Sequence, residues 1–346
     1  MAWEKLGTAS VSGTTANTSW KELDRVTLGS AGDSLDSGTF TAKDNIMILG
    51  HFIHSDEIKP LLRLGNSTID TGSNYAMNGG QNGGGNTTAV SQSSITPINH
   101  QATNSIFSVG EFNNVSSQEK LGILHYNYSG GAGAGTAPDR SEITGKWANT
   151  SYQINRVEYV NTNSGSFGTG TELVVLGYDN DEADSGTNFW QELADVTYGG
   201  GDTLDSGTIT AKKYLWVRIH GIANGNFDNC KIRFNSDSGS NYAYRHNSNG
   251  GSDSTNTSDS GFNYVGTNGA QDHFVNMFII NKSDKEKLAT IEQLRANSSG
   301  AGNEPARKEV AGKWANTSSQ ITSVQAVNGG SGDFASGSRI QVFGAD

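Results

Sequence analysis

GKWANTSYQI at residues 145–154 returns as GKWANTSSQI at residues 312–321, 167 positions later. Outward from this block the same correspondence continues. LDSGTFTAK (35–43) returns as LDSGTITAK (204–212), and GSNYA (72–76) returns at 239–243. Three landmarks in one order at a near-constant offset describe a duplicated domain, because a solenoid repeat would recur every 20–50 residues or so. The copies run from Trp20 to Asp179 and from Trp190 to Asp346, with the acidic, small and polar stretch 180–189 (NDEADSGTNF) as linker. Residues 1–19 read as an extended arm. Trp3-Glu-Lys-Leu within it echoes Trp20-Lys-Glu-Leu and Trp190-Gln-Glu-Leu.

Each copy carries a matching set of strand-like runs. In the first they cover 45–53, 61–64, 106–112, 121–126, 154–160 and 173–178, with weaker candidates at 26–28 and 39–42. In the second they cover 214–222, 231–234, 274–280, 288–294, 321–327 and 340–343. These runs are rich in Ile, Val, Phe and Tyr and are separated by Gly, Asn, Ser and Asp. YLWVRIH (214–220) sets Leu215, Val217 and Ile219 against Trp216, Arg218 and His220, the alternation of a sheet with one covered face. Helical periodicity competes only at 284–295. About eight strands per copy predict an all-β fold of two tandem antiparallel β-sandwich domains, jelly-roll-like in topology, a pattern that Greek-key sandwiches and barrels share. The polar stretches 78–102 and 247–268 read as long loops.

Composition narrows the function. Gly 45 against Pro 4, with 17% charged residues, is a turn-rich all-β composition. Its apolar residues are bunched into strand-length runs, which a disordered chain lacks. The single cysteine, Cys230, excludes an internal disulfide. No apolar run approaches the roughly 20 residues of a membrane helix, and Met1-Ala-Trp-Glu does not open a secretory signal, so neither membrane nor export is expected. A net charge of −11 has the wrong sign for binding phosphates, so nucleic acid is not an expected partner.

Several motifs carry candidate chemistry. Trp147 and Trp314, inside the repeated block, are candidate platforms for sugar rings, and Tyr75, Tyr242 and Tyr244 are further candidate ligand-binding aromatics. For the tryptophans the competing reading, core aromatics at the start of a strand, is favoured because buried rings contribute so much to a sandwich. Asp70-Thr-Gly-Ser-Asn74 and Asp237-Ser-Gly-Ser-Asn241 place oxygens at alternate positions, the germ of a calcium loop at Asp70, Asn74, Asp237 and Asn241. An Asx turn explains the same letters, and the carboxylates that would complete six ligands are missing. His51 and His220 recur at strand ends without a second ligand at metal spacing and read as structural. Arg140-x-Glu142 and Arg307-x-Glu309 predict same-face ion pairs on a strand. Asp33/Asp202 and Asp36/Asp205 recur in a turn, not as a flanking acid pair of the kind glycoside hydrolysis needs. No catalytic residue, metal or cofactor is therefore expected.

The tryptophan-led start, LDSGTxTAK, GSNYAxR (complete only at 239–245), GAGxxPxR at 300–307 and GKWANTS together resemble virion structural proteins of tailed marine phages. The first copy departs from GSNYAxR by having Asn78 where the second has Arg245. The resemblance implies tandem jelly-roll modules displayed on a particle, without enzymatic activity. The expected function is a capsid decoration or cement protein of the virion, with the major capsid protein, other virion proteins or further copies of itself as partners. The alternative is a tail-associated or adhesin-like module that binds cell-surface glycan.

Overall fold

The computed structural model describes residues 19–97, 104–179, 188–265, 271–296 and 300–346. The chain forms two compact units. The first comprises the described residues up to Gly130 together with Asp139–Phe189, and the second comprises Gly131–Pro138 together with Trp190–Asp346. The arm at 1–19 and the linker at 180–189 fall almost wholly outside the described residues.

The first unit contains β1 (Lys21–Thr27), β2 (Ser34–Asp36), β3 (Asn45–His54), β4 (Pro60–Asn66), β5 (Thr68–Ile69) and β6 (Tyr75–Gln81). It continues with β7 (Thr87–Gln92), β8 (Asn104–Asn113), β9 (Lys120–Tyr128), β10 (Asp139–Trp147), β11 (Arg156–Asn161) and β12 (Glu172–Tyr178). A long sheet runs β1-β12-β3-β8-β9-β10-β6-β7 and a short one β2-β11-β4-β5. The last two strands insert between the first four: β12 lies between β1 and β3, and β11 between β2 and β4. That nesting is jelly-roll topology, with the long sheet extended by β9, β10, β6 and β7.

The second unit repeats the plan with β13 (Gln191–Thr197), β14 (Thr203–Asp205), β15 (Tyr214–Gly221), β16 (Ala223–Asn224), β17 (Cys230–Phe234), β18 (Tyr242–Ser248) and β19 (Ser254–Asp259). The remainder are β20 (Phe262–Val265), β21 (His273–Ile280), β22 (Lys287–Arg295), β23 (Ala306–Trp314), β24 (Val324–Val327), β25 (Asp333–Phe334) and β26 (Arg339–Ala345). The sheets run β13-β26-β15-β21-β22-β23-β18-β19 and β14-β24-β17-β20, with a small β16-β25 ladder. No helix occurs among the described residues. The fold is thus all-β, two tandem antiparallel sandwiches, and within 284–295, where helix competed, Lys287–Arg295 form strand β22.

Each core lies between the two sheets of its own unit. In the first, Ile48, Ile106 and Leu124 of the long sheet meet Leu62, Leu64, Val157 and Tyr159 of the short one. Tyr159 spans the gap, with its ring edge-on to Phe52 and its hydroxyl 3.2 Å from Ser108 Oγ. In the second, Leu215, Val217 and Ile219 face Ile232, Phe234 and Ala326. The alternation in 214–220 therefore marks the core face, but Trp216 on the opposite face is also buried, packed on Phe278 and Phe343.

The structure corrects three sequence expectations. The stretch 78–102 is not one loop: β6 and β7 form a hairpin closed at Asn82-Gly83, both at positive φ (51° and 68°). β18 and β19 repeat it around Asn249-Gly250 (53° and 73°). In each hairpin the Asn-Gly pair is the centre of a tight turn inside a five-residue connection, with Gly84 N donating to Gln81 O (2.8 Å) and Gly251 N donating to Ser248 O (3.1 Å). Residues 39–42 are not a strand; Ser34–Asp36 pairs with β11 instead. Finally, Trp147 and Trp314 end strands β10 and β23 and do not begin the strands that follow.

Candidate functional site

The Asp-x-Gly-x-Asn loops are built as buckles on the repeated tryptophans. Asp70 accepts hydrogen bonds from Gly72 N (2.8 Å), Asn74 Nδ2 (2.9 Å) and the Trp147 indole N–H (2.7 Å). Asp237 accepts the same three, from Gly239 N (2.8 Å), Asn241 Nδ2 (2.9 Å) and Trp314 Nε1 (2.8 Å). Partial burial pushes both carboxyls up, but these donors outweigh it and hold them below the ordinary carboxylate value. A calcium ion needs six or more oxygens. Here both Asp side chains are occupied by N–H donors and both Asn side chains present nitrogen, so the loops act as Asx turns. Among the described residues no group of three His, Cys, Asp or Glu side chains is gathered as a metal site.

All five aromatic candidates are interior. Trp147, Trp314, Tyr75 and Tyr244 are 1% exposed and Tyr242 is 0% exposed, so none offers a ring face to a sugar. The favoured core reading of the tryptophans is the one their burial supports. Tyr75 OH donates to Leu64 O (2.8 Å) and accepts from Leu64 N (2.9 Å), tying β6 to the facing β4; Tyr242 OH does the same at Phe234. Tyr75→Phe strands the Leu64 amide in the interior, and a loss of about 1–3 kcal/mol is expected in denaturant unfolding. An unchanged midpoint would remove the hydroxyl from the account of the fold.

Two lysines that sequence reasoning passed over complete the buckles. Lys120 and Lys287, both fully buried, lie 5.9 and 5.8 Å from the Trp147 and Trp314 ring centres. Each Nζ donates to a carbonyl of the Asn-Thr-Ser turn, Asn149 O (2.8 Å) and Asn316 O (2.8 Å). Burial pulls Lys287 down to about 8. A Lys recurring with a Trp on the paired strand was the available signal.

The remaining sequence candidates serve the frame. Arg140–Glu142 and Arg307–Glu309 are ion pairs on β10 and β23, as their spacing predicts. Asp36 is gripped by Arg156, and Asp205 accepts from Gln325 (2.6 Å). His51 is buried, whereas His220 is exposed.

The chemistry that is not spent inside lies on the outer side of the long sheet. In the second unit this face holds Gly131–Pro138, the turn between β9 and β10, by its backbone. Lys313 Nζ donates to Gly131 O, and Gly133 N donates to Glu286 Oε1 (2.6 Å). Ser258 N donates to Ala134 O (2.8 Å), and Arg245 Nε donates to Pro138 O (2.9 Å). Lys313 and Glu286 are correspondingly enclosed, with side chains 0% and 10% exposed. The geometry suits recognition of a glycine-rich turn through its backbone, and among the described residues it gathers no metal-ligand group.

Comparison with known proteins adds no family. No family model matches the chain, and no curated protein matches it. Among solved structures the chain is distantly similar to domains LG4-5 of the mouse laminin alpha1 chain, at 10% identity over 97% of this chain and 91% of that one, with a TM-score of 0.18. It is also similar to Neisserial surface protein A (7% identity, 83% and 99% covered, TM-score 0.14). A third is the translocator domain of autotransporter NalP from Neisseria meningitidis (8%, 82% and 88%, TM-score 0.09). The fold rests on its strand order, to which similarities this low add nothing.

Proposed function

We propose that this chain is a non-enzymatic structural protein that works by assembly, and in its most specific form a decoration or cement protein of a phage capsid. One observation carries the reading: the aromatic, aspartate and arginine residues that sequence singled out are consumed in holding each sandwich together by itself. Aromatic rings are interior, Asp70 and Asp237 clamp indoles, and the recurring arginines are paired with acids. What remains outward is sheet surface. On the first unit it includes Leu121 (56% exposed) and Ile123 (57%), flanked by the Lys146–Glu119 pair. An apolar centre rimmed by charge is the make-up of a protein interface. The capsid placement itself draws on the resemblance of the repeated motifs to phage virion proteins.

The test is stoichiometry. Quantitative mass spectrometry of purified particles of the encoding virus is expected to find this chain in numbers comparable with the major shell protein. A handful of copies per particle moves it to the tail, and absence from the particle overturns the reading.

A further inference from the structure

The duplication places the same surface on both units and gives it different surroundings in each. Lys313 and Glu286 of the second unit correspond, 167 positions apart, to Lys146 and Glu119 of the first. The pair is 0% and 10% exposed in the second unit, but 41% and 40% exposed in the first. Leu288 beside Lys313 is 0% exposed, whereas Leu121 beside Lys146 is 56% exposed. The bulge whose amide grips the turn also recurs: Ser258 and Ser91 share a positive φ of 51° and 53°.

The bound turn is duplicated as well. Gly133-Ala134-Gly135-Thr-Ala-Pro138 matches Gly300-Ala301-Gly302-Asn-Glu-Pro305, and the leading glycines have φ of +78° and +90°. The four bonds described above all reach backbone N–H or C=O groups of the first turn, so the changes at Thr136 and Ala137 leave those groups in place. Residues 300–305 are exposed.

We propose that the chain associates head to tail: the turn at 300–305 of one molecule docks on the outer face of the first unit of the next. Glu119 accepts from the Gly300 amide, the Ser91 amide donates to the Ala301 carbonyl, and Leu121 and Ile123 are covered. Asn78 stands where Arg245 holds the proline carbonyl, so that one contact is not reproduced in kind. Because the turn and the face are different surfaces, the contact is heterologous and propagates, closing into a ring if the rotation permits and otherwise extending as a filament. The partner is a second copy of this chain, and the inference stands whether or not the assembly decorates a virion.

Two full-length variants test it by mass photometry and analytical ultracentrifugation. Leu121→Asp with Ile123→Asp spoils the face, and Ala301→Trp obstructs the turn; all three positions are exposed, and circular dichroism checks that folding is retained. The wild-type chain is expected to form species larger than a monomer below about 100 μM, where a micromolar contact is saturated. Each variant is expected to associate at least tenfold more weakly. Mixed together, they are expected to form a one-to-one dimer and nothing larger, since the mixture contains one sound turn facing one sound face. A monomeric wild-type chain, variants that assemble like wild type, or a mixture that stays monomeric would each overturn the proposal. Particle stoichiometry is read independently, so failure of one reading leaves the other standing.

Discussion

Trp314→Ala is expected to destabilise the second unit by about 3–5 kcal/mol, and Trp147→Ala the first by a similar amount, from loss of apolar burial and the cavity left behind. Specific partners are lost with the Trp314 ring. The Asp237 carboxylate loses the indole N–H at 2.8 Å, Lys287 loses the ring beneath its ammonium, and Tyr242 loses a stacked neighbour at 6.3 Å. Trp314→Phe separates the contributions. It retains much of the buried area but removes the donor to Asp237, and a smaller cost of about 1–3 kcal/mol is expected from the hydrogen bond. Denaturant titration followed by circular dichroism reads both variants. A surface platform for sugar would cost almost nothing on truncation, so a loss below about 1 kcal/mol for Trp314→Ala would contradict the buried buckle.

How much of this was legible depended on whether a feature leaves an apolar period. The duplication and the core strands β3, β4, β8, β9, β12 and their counterparts announce themselves, because their inward residues alternate along runs of Ile, Leu, Val and Phe. β7 and β19 do not. TTAVSQ and STNTSD are almost wholly exposed at a sheet edge, so their strand character comes from backbone pairing alone. The Asn82-Gly83 and Asn249-Gly250 turns were the readable sign of those hairpins. The buckles were half legible. Asp-x-Gly-x-Asn and GKWANTS both stand out by recurrence, but nothing in the letters says that the aspartate of one clamps the indole of the other, 77 residues away. The gripped turn at Gly131–Pro138 was hidden for a stricter reason. Its ligands are backbone groups, and only the glycines and Pro138 constrain its shape.

One place where the duplicate cores differ is expected to make the second unit acid-sensitive. Phe52 pairs with Ile106 across β3 and β8; the corresponding pair across β15 and β21 is Gly221 with His273. A large residue facing a medium one has been exchanged for no side chain facing an imidazole. The exchange is coupled by volume, since a Cβ on Gly221 would lie 2.2 Å from the His273 ring. His273 is 2% exposed, with Nε2 placed 3.2 Å from the Tyr264 hydroxyl and Phe227 and Phe334 against its ring. Burial, reinforced by the nearby charge of His220, brings its pKa from 6.5 down to about 4. The folded state therefore binds this proton less readily than the unfolded chain. Its contribution is complete above pH 6.5 and is lost as pH falls toward 4. The gap is worth roughly 3 kcal/mol. Unfolding of the wild-type chain is thus expected to become easier between pH 6.5 and 4, with the second unit responsible. Gly221→Phe with His273→Ile installs the pair of the first unit, filling the space that the imidazole leaves. It is expected to flatten that part of the profile, whereas His273→Ile alone flattens it at the cost of a void beside Gly221. Unfolding midpoints measured at several pH values for the three chains decide the matter. If the double variant follows wild type through the whole range, the acid sensitivity lies elsewhere and His273 is only a filler of the core.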